Sequence, residues 1–268
     1  MEQLAYESQQ YVCGRRLVNV LVHTDIGGRA SQEDTFTVAA QQDSVFAAVC
    51  DGMGGMRGGT AASQTAASAL TAAYQQKDDL SVHAQFYLNC LDALDEAVYE
   101  LRDETGRRLG AGTTVVSVLI EQDQLTWFSV GDSRLYLIRG KEVVQATADH
   151  NYRGMLDALL SDGAITQQQY ADELPKAAAL TSYLGIGGVR QYDVNTEPFP
   201  LQNGDLLLLC SDGLYHAADP AEAVRRSGTD ADALMKELLH AVAAVPSELR
   251  DNTTWMLIQY LDKGDVKL

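Results

Sequence analysis

Residues 115–146 limit the possible folds more than any other part of the sequence. They alternate β-rich apolar runs with short turn-forming segments, in the order VVSVLI, EQDQ, LTWFSV, GDS, RLYLI, RGKE and VVQA. Consecutive strands joined by such short turns pair antiparallel, because a parallel pair needs a long crossover connection. The sequence therefore predicts an antiparallel meander over this stretch.

Further apolar patterns add strands and helices around the meander. Short runs typical of buried strands occur at 17–23, 45–50 and 205–210, and TTWMLIQYL near the end of the chain predicts another. Apolar residues recur on one face of two predicted helices, at about 60–75 and 83–102. A third helix carries Leu234, Leu238, Ala241 and Val245 on one face. Since an apolar face is buried against another layer, we predict an α+β fold of sheets covered by helices.

The chain shows no internal division. Its 268 residues allow one large domain or two small ones, and no linker, repeat or low-complexity tract separates them. We interpret residues 1–268 as a single domain. Residues 148–190 are less periodic, with short helical pieces at about 153–160 and 166–173. We expect this stretch to be a flap-like insertion.

Charge and cysteine usage narrow the classes of partner. Asp and Glu number 37 against 20 Lys and Arg, which gives a net charge of −17. Such a surface repels phosphate backbones and anionic membranes, so neither a nucleic acid nor a membrane is an expected partner. The four cysteines form no CxxC pair, which argues against a zinc knuckle or a thioredoxin motif. No apolar run approaches the roughly 18 residues of a membrane span, and we expect a cytoplasmic protein.

Acidic residues stand at the ends of the strand-like runs. VFAAVC leads into Asp51-Gly52, DLLLLC leads into Ser211-Asp212-Gly213, Asp251 precedes the last strand, and Glu33-Asp34 precedes a short strand at 35–38. We expect the two glycines to let the backbone turn sharply after each acid. Acids on rigid elements can converge on a hard cation. Asp-Gly also marks ordinary turns, and spacing alone leaves both interpretations open.

The glycine-rich loop and the acids at the strand ends match no common nucleotide-binding or metal-binding motif. The glycine-rich loop at 52–59 fits neither the P-loop pattern nor the dinucleotide-binding pattern. The sequence contains no HExxH motif and no EF-hand loop.

The order of six short motifs resembles the bacterial metal-dependent protein serine/threonine phosphatases, the PPM or type-2C family. The resemblance covers about residues 20–260. Its motifs are Arg29-x-x-x-Glu33-Asp34, Asp51-Gly52-Met53-Gly54-Gly55, Gly112-Thr113-Thr114, Gly131-Asp132-Ser133-Arg134, Ser211-Asp212-Gly213 and Asp251-Asn252. Each motif is weak by itself, whereas chance explains six of them in the family's order poorly.

The resemblance implies a four-layer α-β-β-α sandwich, with two antiparallel sheets flanked by helices and two Mn²⁺ or Mg²⁺ ions at one end. By motif match, Asp51 bridges both ions, Asp212 and Asp251 hold the first, and the Gly52 carbonyl and Glu33 serve the second. Asp132 matches the acid that, with Asp212, supports a looser third ion. Asp34 and Asn252 lie behind the ligands.

The implied activity is hydrolysis of phosphoserine and phosphothreonine in proteins by a metal-bridging hydroxide, without a covalent intermediate. Asp51 and Arg29 are the implied catalytic residues, with Arg29 binding the phosphate. A loop arginine paired to Glu33 or Asp34 is the structural alternative for Arg29. The implied substrates are phosphoproteins made by a cognate Ser/Thr kinase.

Two other functions compete with this interpretation. The first is a catalytically weak or inactive relative that binds phosphoproteins as a regulator, and the second is an acidic metal-binding structural protein. An inactive relative should have lost metal-binding acids, yet Asp51, Asp212 and Asp251 all remain. The structural protein leaves Arg29 and the loop at 52–59 unexplained.

The sequence also departs from the family pattern. Gln32 stands where bacterial relatives usually carry Asn, and Met53 and Met56 stand where relatives often carry His. These departures leave the donor of the leaving-group proton open. His150, at the start of the flap, is a candidate to contact the substrate.

Overall fold

Two antiparallel sheets form the middle of the protein in the computed structural model, which describes residues 6–55, 58–76 and 83–264. In chain order the strands are β1 (Glu7–Cys13), β2 (Arg16–Asp25), β3 (Asp34–Gln41), β4 (Ser44–Met53), β5 (Gly112–Thr113), β6 (Val115–Glu121), β7 (Gln124–Val130), β8 (Arg134–Arg139), β9 (Glu142–Gln145), β10 (Asp193–Val194), β11 (Phe199–Pro200), β12 (Leu206–Cys210) and β13 (Thr253–Asp262).

Each sheet mixes strands from distant parts of the sequence. Sheet A has the spatial order β1-β2-β13-β12-β8-β9, and sheet B has the order β10-β7-β6-β4-β3. The short strand β11 extends sheet B beside β7, and β5 pairs with the end of β4. All the described strand pairs are antiparallel.

The described residues form seven α-helices, and four of them cover the outer faces of the two sheets. The seven helices are α1 (Gly58–Gln75), α2 (His83–Tyr99), α3 (Tyr152–Ser161), α4 (Gln167–Glu173), α5 (Asp212–Ala217), α6 (Pro220–Ser227) and α7 (Ala231–Ala244). The pair α1 and α2 packs on sheet B, and α6 and α7 pack on sheet A. The predicted four-layer α-β-β-α arrangement is confirmed.

Alternation along the strands explains how both faces of each sheet are buried. In β4, Val45, Ala47 and Val49 lie between the sheets, whereas Phe46 and Ala48 face α1 and α2. Successive side chains of a strand point to opposite faces, so a strand buried on both faces reads as an unbroken apolar run. The run at 45–50 has this pattern, and so does the run at 205–210.

The predicted meander is wrong at one point. Strands β6 and β7 pair in sheet B, and β8 and β9 pair in sheet A, but residues 131–133 carry the chain from one sheet to the other. Gly131 has a φ of +104°, which redirects the backbone as it leaves β7. The short turn therefore connects a strand of sheet B to a strand of sheet A. Both strands contribute apolar side chains to the core between the sheets.

The flap region contains the two predicted short helices, α3 and α4, followed by a 3₁₀ turn at Leu174–Lys176. A bridge between Asn151 and Leu180 brings together the chain before and after these helices. Its description as an insertion at 148–190 in a single domain stays a prediction. Among the helices of the described residues, none has the length and apolar character needed to cross a membrane.

Candidate metal centre

A cavity of about 630 Å³ opens at one end of the two sheets. The described residues that line it are Arg29, Ala30, Ser31, Glu33, Asp51, Gly52, Met53, Gly54, Gly55, Thr114, Asp132, Ala178, Ala179, Leu180, Asp212, Asp251 and Asn252. All the predicted metal ligands are among them, together with Arg29 and Asn252. The structure thus brings together residues that spacing along the sequence left separate.

Strand geometry places the central acid. Asp51 continues the alternation of Val45, Ala47 and Val49, so it faces the layer between the sheets at the end of β4. Asp34 is its cross-strand partner at the start of β3. The other acids arrive from sheet A and from the crossing between the sheets. Asp212 begins α5 two residues after the end of β12, Asp251 lies two residues before the start of β13, and Asp132 lies in the crossing at 131–133.

Gly52 and Gly213 are required by close packing, and the predicted sharp turns after the acids are wrong. Gly52 lies within β4, and Gly213 lies within α5. A Cβ on Gly52 would lie 2.1 Å from the Gly59 carbonyl oxygen, and one on Gly213 would lie 2.3 Å from the Asn252 carbonyl oxygen. Each glycine therefore lets another backbone segment approach the neighbouring acid.

Two threonines hold the backbone of Asp51. The Thr114 N–H (2.8 Å) and the Thr113 hydroxyl (2.9 Å) both donate to the Asp51 carbonyl oxygen, and the Asp51 N–H donates to the Thr114 hydroxyl at 3.1 Å. The Asp51 main chain is thus positioned independently of its carboxylate.

Burial and mutual repulsion dominate the electrostatics of the acids. Burial, and then the charges of Asp34 and Asp212, raise the pKa of Asp51 well above its usual range. Burial also raises the pKa of Asp34 to about 7 and, with the charge of Asp132, that of Asp212 to about 6. The pKa of Asp132 is raised by burial as well, although Asn151 donates a hydrogen bond to it at 3.2 Å. Each of these four acids therefore keeps its proton to a higher pH than a free carboxyl group does, and a nearby positive charge would oppose this shift.

The donor set fits a hard divalent cation. The acids that line the cavity offer oxygen ligands only, which suits Mg²⁺ or Mn²⁺. One oxygen of Asp34, Oδ1, is buried without a hydrogen-bond partner. Within the described residues, no three His, Cys, Asp or Glu side chains lie close enough together to hold a metal ion as they stand. An open arrangement is compatible with Mg²⁺-type ions, which usually keep several waters.

Asn252 and Ser211 support the acids from behind. The Asn252 side chain accepts the Glu33 N–H at 2.8 Å and donates to the carbonyl oxygens of Ile26 and Ser31. Asn252 therefore ties the loop that carries Glu33 to the start of β13. Asp34 lies beneath the cavity, where it accepts a hydrogen bond from the Ser211 hydroxyl at 2.8 Å. Sequence reasoning missed this role of Ser211, although the residue directly precedes Asp212.

Arg29 is the one positively charged residue among the described residues that line the cavity. Its Nη2 lies 2.5 Å from Oδ2 of Asp251, a predicted metal ligand. The partner is therefore Asp251, and the expected structural alternative, a pair with Glu33 or Asp34, is wrong. Arg29, which the motif predicts to bind phosphate, thus contacts one of the predicted metal ligands.

His150 does not line the cavity, so its position does not support substrate contact. It is 2% exposed, its Nδ1 accepts the Gly131 N–H at 3.1 Å, and its Nε2 lies 3.7 Å from Asp193. Both ring nitrogens thus face protein groups. Its two neighbours make similar contacts: Asp149 binds Arg134 at the start of β8, and Asn151 binds Asp132 in the crossing. His150 joins the base of the flap to the crossing between the sheets.

The three residues that depart from the family pattern have different surroundings. Met53 lines the cavity. Gln32 donates to the Thr24 hydroxyl at 2.8 Å and accepts the Asp34 N–H, so it supports the loop. Met56 lies outside the described residues.

Comparison with known proteins decides the family. The family model described as "Protein phosphatase 2C" matches residues 25–251. The chain belongs to the protein phosphatase 2C family. A curated relative, the protein phosphatase PhpP of Streptococcus pneumoniae, is 30% identical to this phosphatase 2C chain over 203 residues, covering 74% of the chain and 80% of the relative.

Solved phosphatase structures share the architecture. The S. agalactiae serine/threonine phosphatase superposes with a TM-score of 0.76 at 26% identity, covering 90% of this phosphatase 2C chain and 99% of the other. The catalytic domain of the serine/threonine protein phosphatase PstP, solved with two manganese ions, gives a TM-score of 0.68 at 25% identity and covers 92% and 100% of the two chains.

Proposed function

We propose that this phosphatase 2C protein hydrolyses phosphoserine and phosphothreonine in proteins and depends on Mn²⁺ or Mg²⁺. The observation that carries the proposal is the convergence of Asp51, Asp212, Asp251 and Arg29 on one cavity. The PstP neighbour, which was solved with two manganese ions, supports a metal-dependent reaction.

The acids have the task of holding the ions. Asp51 would bridge two of them, with Asp212 and Asp251 on the first and the Gly52 carbonyl and Glu33 on the second. Asp132 and Asp212 would hold a weaker third ion. Bound ions would neutralise the phosphoryl oxygens and lower the pKa of a water molecule, so hydrolysis would need no covalent phosphoenzyme. The raised pKa values of Asp51 and Asp212 support this assignment, because carboxylates that repel one another gain most from a shared cation.

Arg29 has the task of orienting the phosphate. Its planar guanidinium can donate two parallel hydrogen bonds to phosphate oxygens. To do so, it exchanges its contact with Asp251 for one with the substrate. Its side chain is 60% exposed, so this rearrangement costs little.

The leaving-group proton has no histidine donor among the described residues that line the cavity. Met53 lines the cavity at one of the two positions where relatives often carry His. His150 faces Gly131 and Asp193 instead. We therefore propose that solvent supplies this proton to the serine or threonine oxygen.

Phosphorylated proteins produced by a cognate Ser/Thr kinase are the proposed substrates, and the cytoplasm is the proposed location. All four described cysteines are free, as expected in a reducing compartment. A regulatory phosphoprotein-binding role without catalysis is the second candidate. The presence of the acids and Arg29 on one cavity favours catalysis over that role.

The deciding experiment compares wild type with Asp51→Asn on p-nitrophenyl phosphate and a phosphothreonine peptide, with and without Mn²⁺. We expect Asp51→Asn to lower kcat by at least roughly 10³-fold, a modest part of the acceleration that phosphate-monoester hydrolysis requires. The control is Asp92→Asn, which removes the same charge from the exposed side of α2. Mn²⁺-dependent turnover by Asp51→Asn at the wild-type rate would refute the two-ion assignment. A wild-type protein that binds the peptide without hydrolysing it would favour the regulatory role.

A further inference from the structure

Asp95 is a buried carboxylate that none of the six motifs contains. It lies on α2, is 5% exposed, and accepts backbone N–H groups from Gly185 at 2.7 Å, Gly187 at 3.4 Å and Gly188. Burying a carboxylate is costly unless several donors satisfy it. Asp95 therefore fixes the loop at 184–188 against α2.

The loop is shaped for this contact. Gly185, Gly187 and Gly188 all have positive φ angles, of +97°, +81° and +129°. A Cβ on Gly185 would lie 2.7 Å from Val98 Cγ1, and one on Gly187 would lie 2.9 Å from the Tyr99 ring. Glycine alone combines these backbone angles with the close approach to α2 that brings the N–H groups to Asp95.

The residue before the loop connects it to the sheets. Leu184 is fully buried and exchanges two backbone hydrogen bonds with Thr113, from Thr113 N–H to Leu184 O at 3.0 Å and from Leu184 N–H to Thr113 O at 2.9 Å. Tyr183 packs over Gly112, where a Cβ would lie 2.5 Å from the ring. The end of the flap is thus joined to β5.

From β5 the contacts continue to the candidate metal centre. Thr113 pairs with Gly52, and its hydroxyl donates to the Asp51 carbonyl oxygen. The Thr114 N–H donates to the same oxygen. Asp95 is therefore linked to the backbone of Asp51 and Gly52 in two steps. The loop that Asp95 holds is joined to Thr113 through Leu184, and Thr113 is paired with Gly52.

We propose that Asp95 is a positioning residue for the metal centre. By anchoring the loop at 184–188, it holds Thr113 in place, and Thr113 holds the Asp51 and Gly52 backbone in the geometry that binds the ions. This inference rests on the proposed function for its assignment of Asp51 and Gly52 as ligands. The competing explanation is that Asp95 only stabilises the loop.

Asp95→Asn tests the proposal, because it keeps the size of the side chain but leaves one acceptor oxygen facing three donors. In calorimetric Mn²⁺ titration of the full chain, we expect the dissociation constant to rise about 10-fold, as for other groups that support metal ligands from outside. At saturating Mn²⁺, kcat on p-nitrophenyl phosphate should also fall with little change in KM, since Arg29 is untouched.

Two controls separate positioning from general loss of stability. Asp92→Asn removes a charge from the exposed side of the same helix, and it should bind Mn²⁺ like wild type. Leu238→Ala leaves a cavity in α7, on the outer face of sheet A, and it should lower the melting temperature without changing Mn²⁺ affinity.

Gly188→Ala tests the same contact from the side of the loop. A Cβ there meets no atom within 4 Å, but the φ of +129° is strained for alanine, so the N–H should move away from Asp95. This variant should weaken Mn²⁺ binding in the same direction. If Asp95→Asn does not fold, Gly188→Ala alone shows whether the contact between Asp95 and the loop affects Mn²⁺ binding.

Wild-type Mn²⁺ affinity in both Asp95→Asn and Gly188→Ala, despite lower melting temperatures, would overturn the proposal. So would an equal loss of Mn²⁺ affinity in Leu238→Ala. If wild-type protein binds Mn²⁺ but hydrolyses no phosphoester, the proposed function fails, and the calorimetric comparison still decides the role of Asp95.

Discussion

Arg29 and Asp251 form a contact that the proposed reaction has to exchange. Oδ2 of Asp251 lies 2.5 Å from the arginine, and its Oδ1 accepts the Asn252 N–H at 2.8 Å. The two paired side chains are 60% and 37% exposed, so water screens the attraction and the pair contributes little stability. A contact this weak can give way when a phosphate reaches Arg29 and a cation reaches Asp251.

Arg29→Ala should therefore impair substrate binding more than folding. Loss of a charge-assisted contact to phosphate is worth about 1.5–3 kcal/mol, so we expect kcat/KM to fall about 10- to 150-fold. Steady-state kinetics on p-nitrophenyl phosphate and a phosphopeptide provide the measurement. Arg15→Ala removes the same charge at an exposed position and should behave like wild type. Unchanged kinetics in Arg29→Ala would assign Arg29 a purely structural role.

His150→Ala should lower turnover of aryl phosphate and phosphopeptide by the same factor, because His150 lies behind the sheet crossing and not against the leaving group. It leaves the buried Gly131 N–H without its acceptor, which costs roughly 1–3 kcal/mol of stability. The ratio of the two kcat values and a urea titration measure these effects, with the exposed His240→Ala as control. A selective loss of phosphopeptide turnover would instead identify His150 as the proton donor.

For individual residues, the order of the motifs predicted which acids lie close together, but it did not predict the residues that support them. Asp51, Asp212 and Asp251 were identifiable because each stands beside one end of an apolar strand. Asp95 was not, because its partners are backbone N–H groups about 90 positions away, and these leave no side-chain signal.

Among the elements, the crossing at 131–133 is a segment that connects the two sheets beside the site. It joins β7 of sheet B to β8 of sheet A, carries Asp132 to the cavity, and receives the base of the flap through His150 and Asn151. One short segment thereby contacts both sheets, the flap and the site.

Gly131→Ala should be far more damaging than a comparable glycine change in an ordinary turn. A Cβ on Gly131 would lie 2.6 Å from Thr114 Cγ2, at a φ of +104°, whereas the turn residue Gly140 (φ +59°) has no atom within 4 Å of its Cβ position. Both variants put alanine at a positive φ, and overpacking adds about 1–3 kcal/mol at Gly131 only. Urea unfolding of the two variants measures the difference. Equal losses of stability would contradict the packing at Thr114.

The elements themselves were predictable to differing degrees. The long periodic helices and apolar strands were found, because their patterns repeat over several turns or residues. Helix α6 was missed, although Asp219 caps it and Pro220 occupies its first turn, a recognised start signal. The antiparallel pairing of β7 and β8 was predicted wrongly, since loop length does not reveal to which of two sheets the next strand belongs.

For the molecule as a whole, the site combines acids from both sheets. Asp51 ends a strand of sheet B, Asp212 and Asp251 flank strands of sheet A, and Asp132 lies between them. The chain has a net charge of −17, and four of its acidic residues lie close together where the two sheets meet.

The stability of the protein in chelator should fall as pH rises. The pKa of Asp34 is raised from 3.8 to about 7 and that of Asp212 to about 6, so the folded state keeps protons that the unfolded chain has already lost. Stability therefore declines across about pH 4–7 as these protons leave. Surface carboxylates with lowered pKa, such as Glu222, act in the opposite direction but are exposed and screened.

Melting temperatures with EDTA between pH 4.5 and 7.5 test this, and Asp34→Asn should flatten the decline whereas Asp92→Asn should not. Saturating Mn²⁺ should reverse the trend, since metal binding requires deprotonated ligands. A chelated protein that becomes more stable towards neutral pH would contradict the raised pKa values.

The placement of the acids on both sheets also has a kinetic consequence. An ion held jointly by Asp51 and Asp212 would cross-link the two sheets, because the sheets could not separate while both carboxylates remained bound. Unfolding would then have to wait for the ion to dissociate. The protein would lose its resistance to proteases at a rate set by metal release, so the occupancy of its catalytic centre would also govern its lifetime.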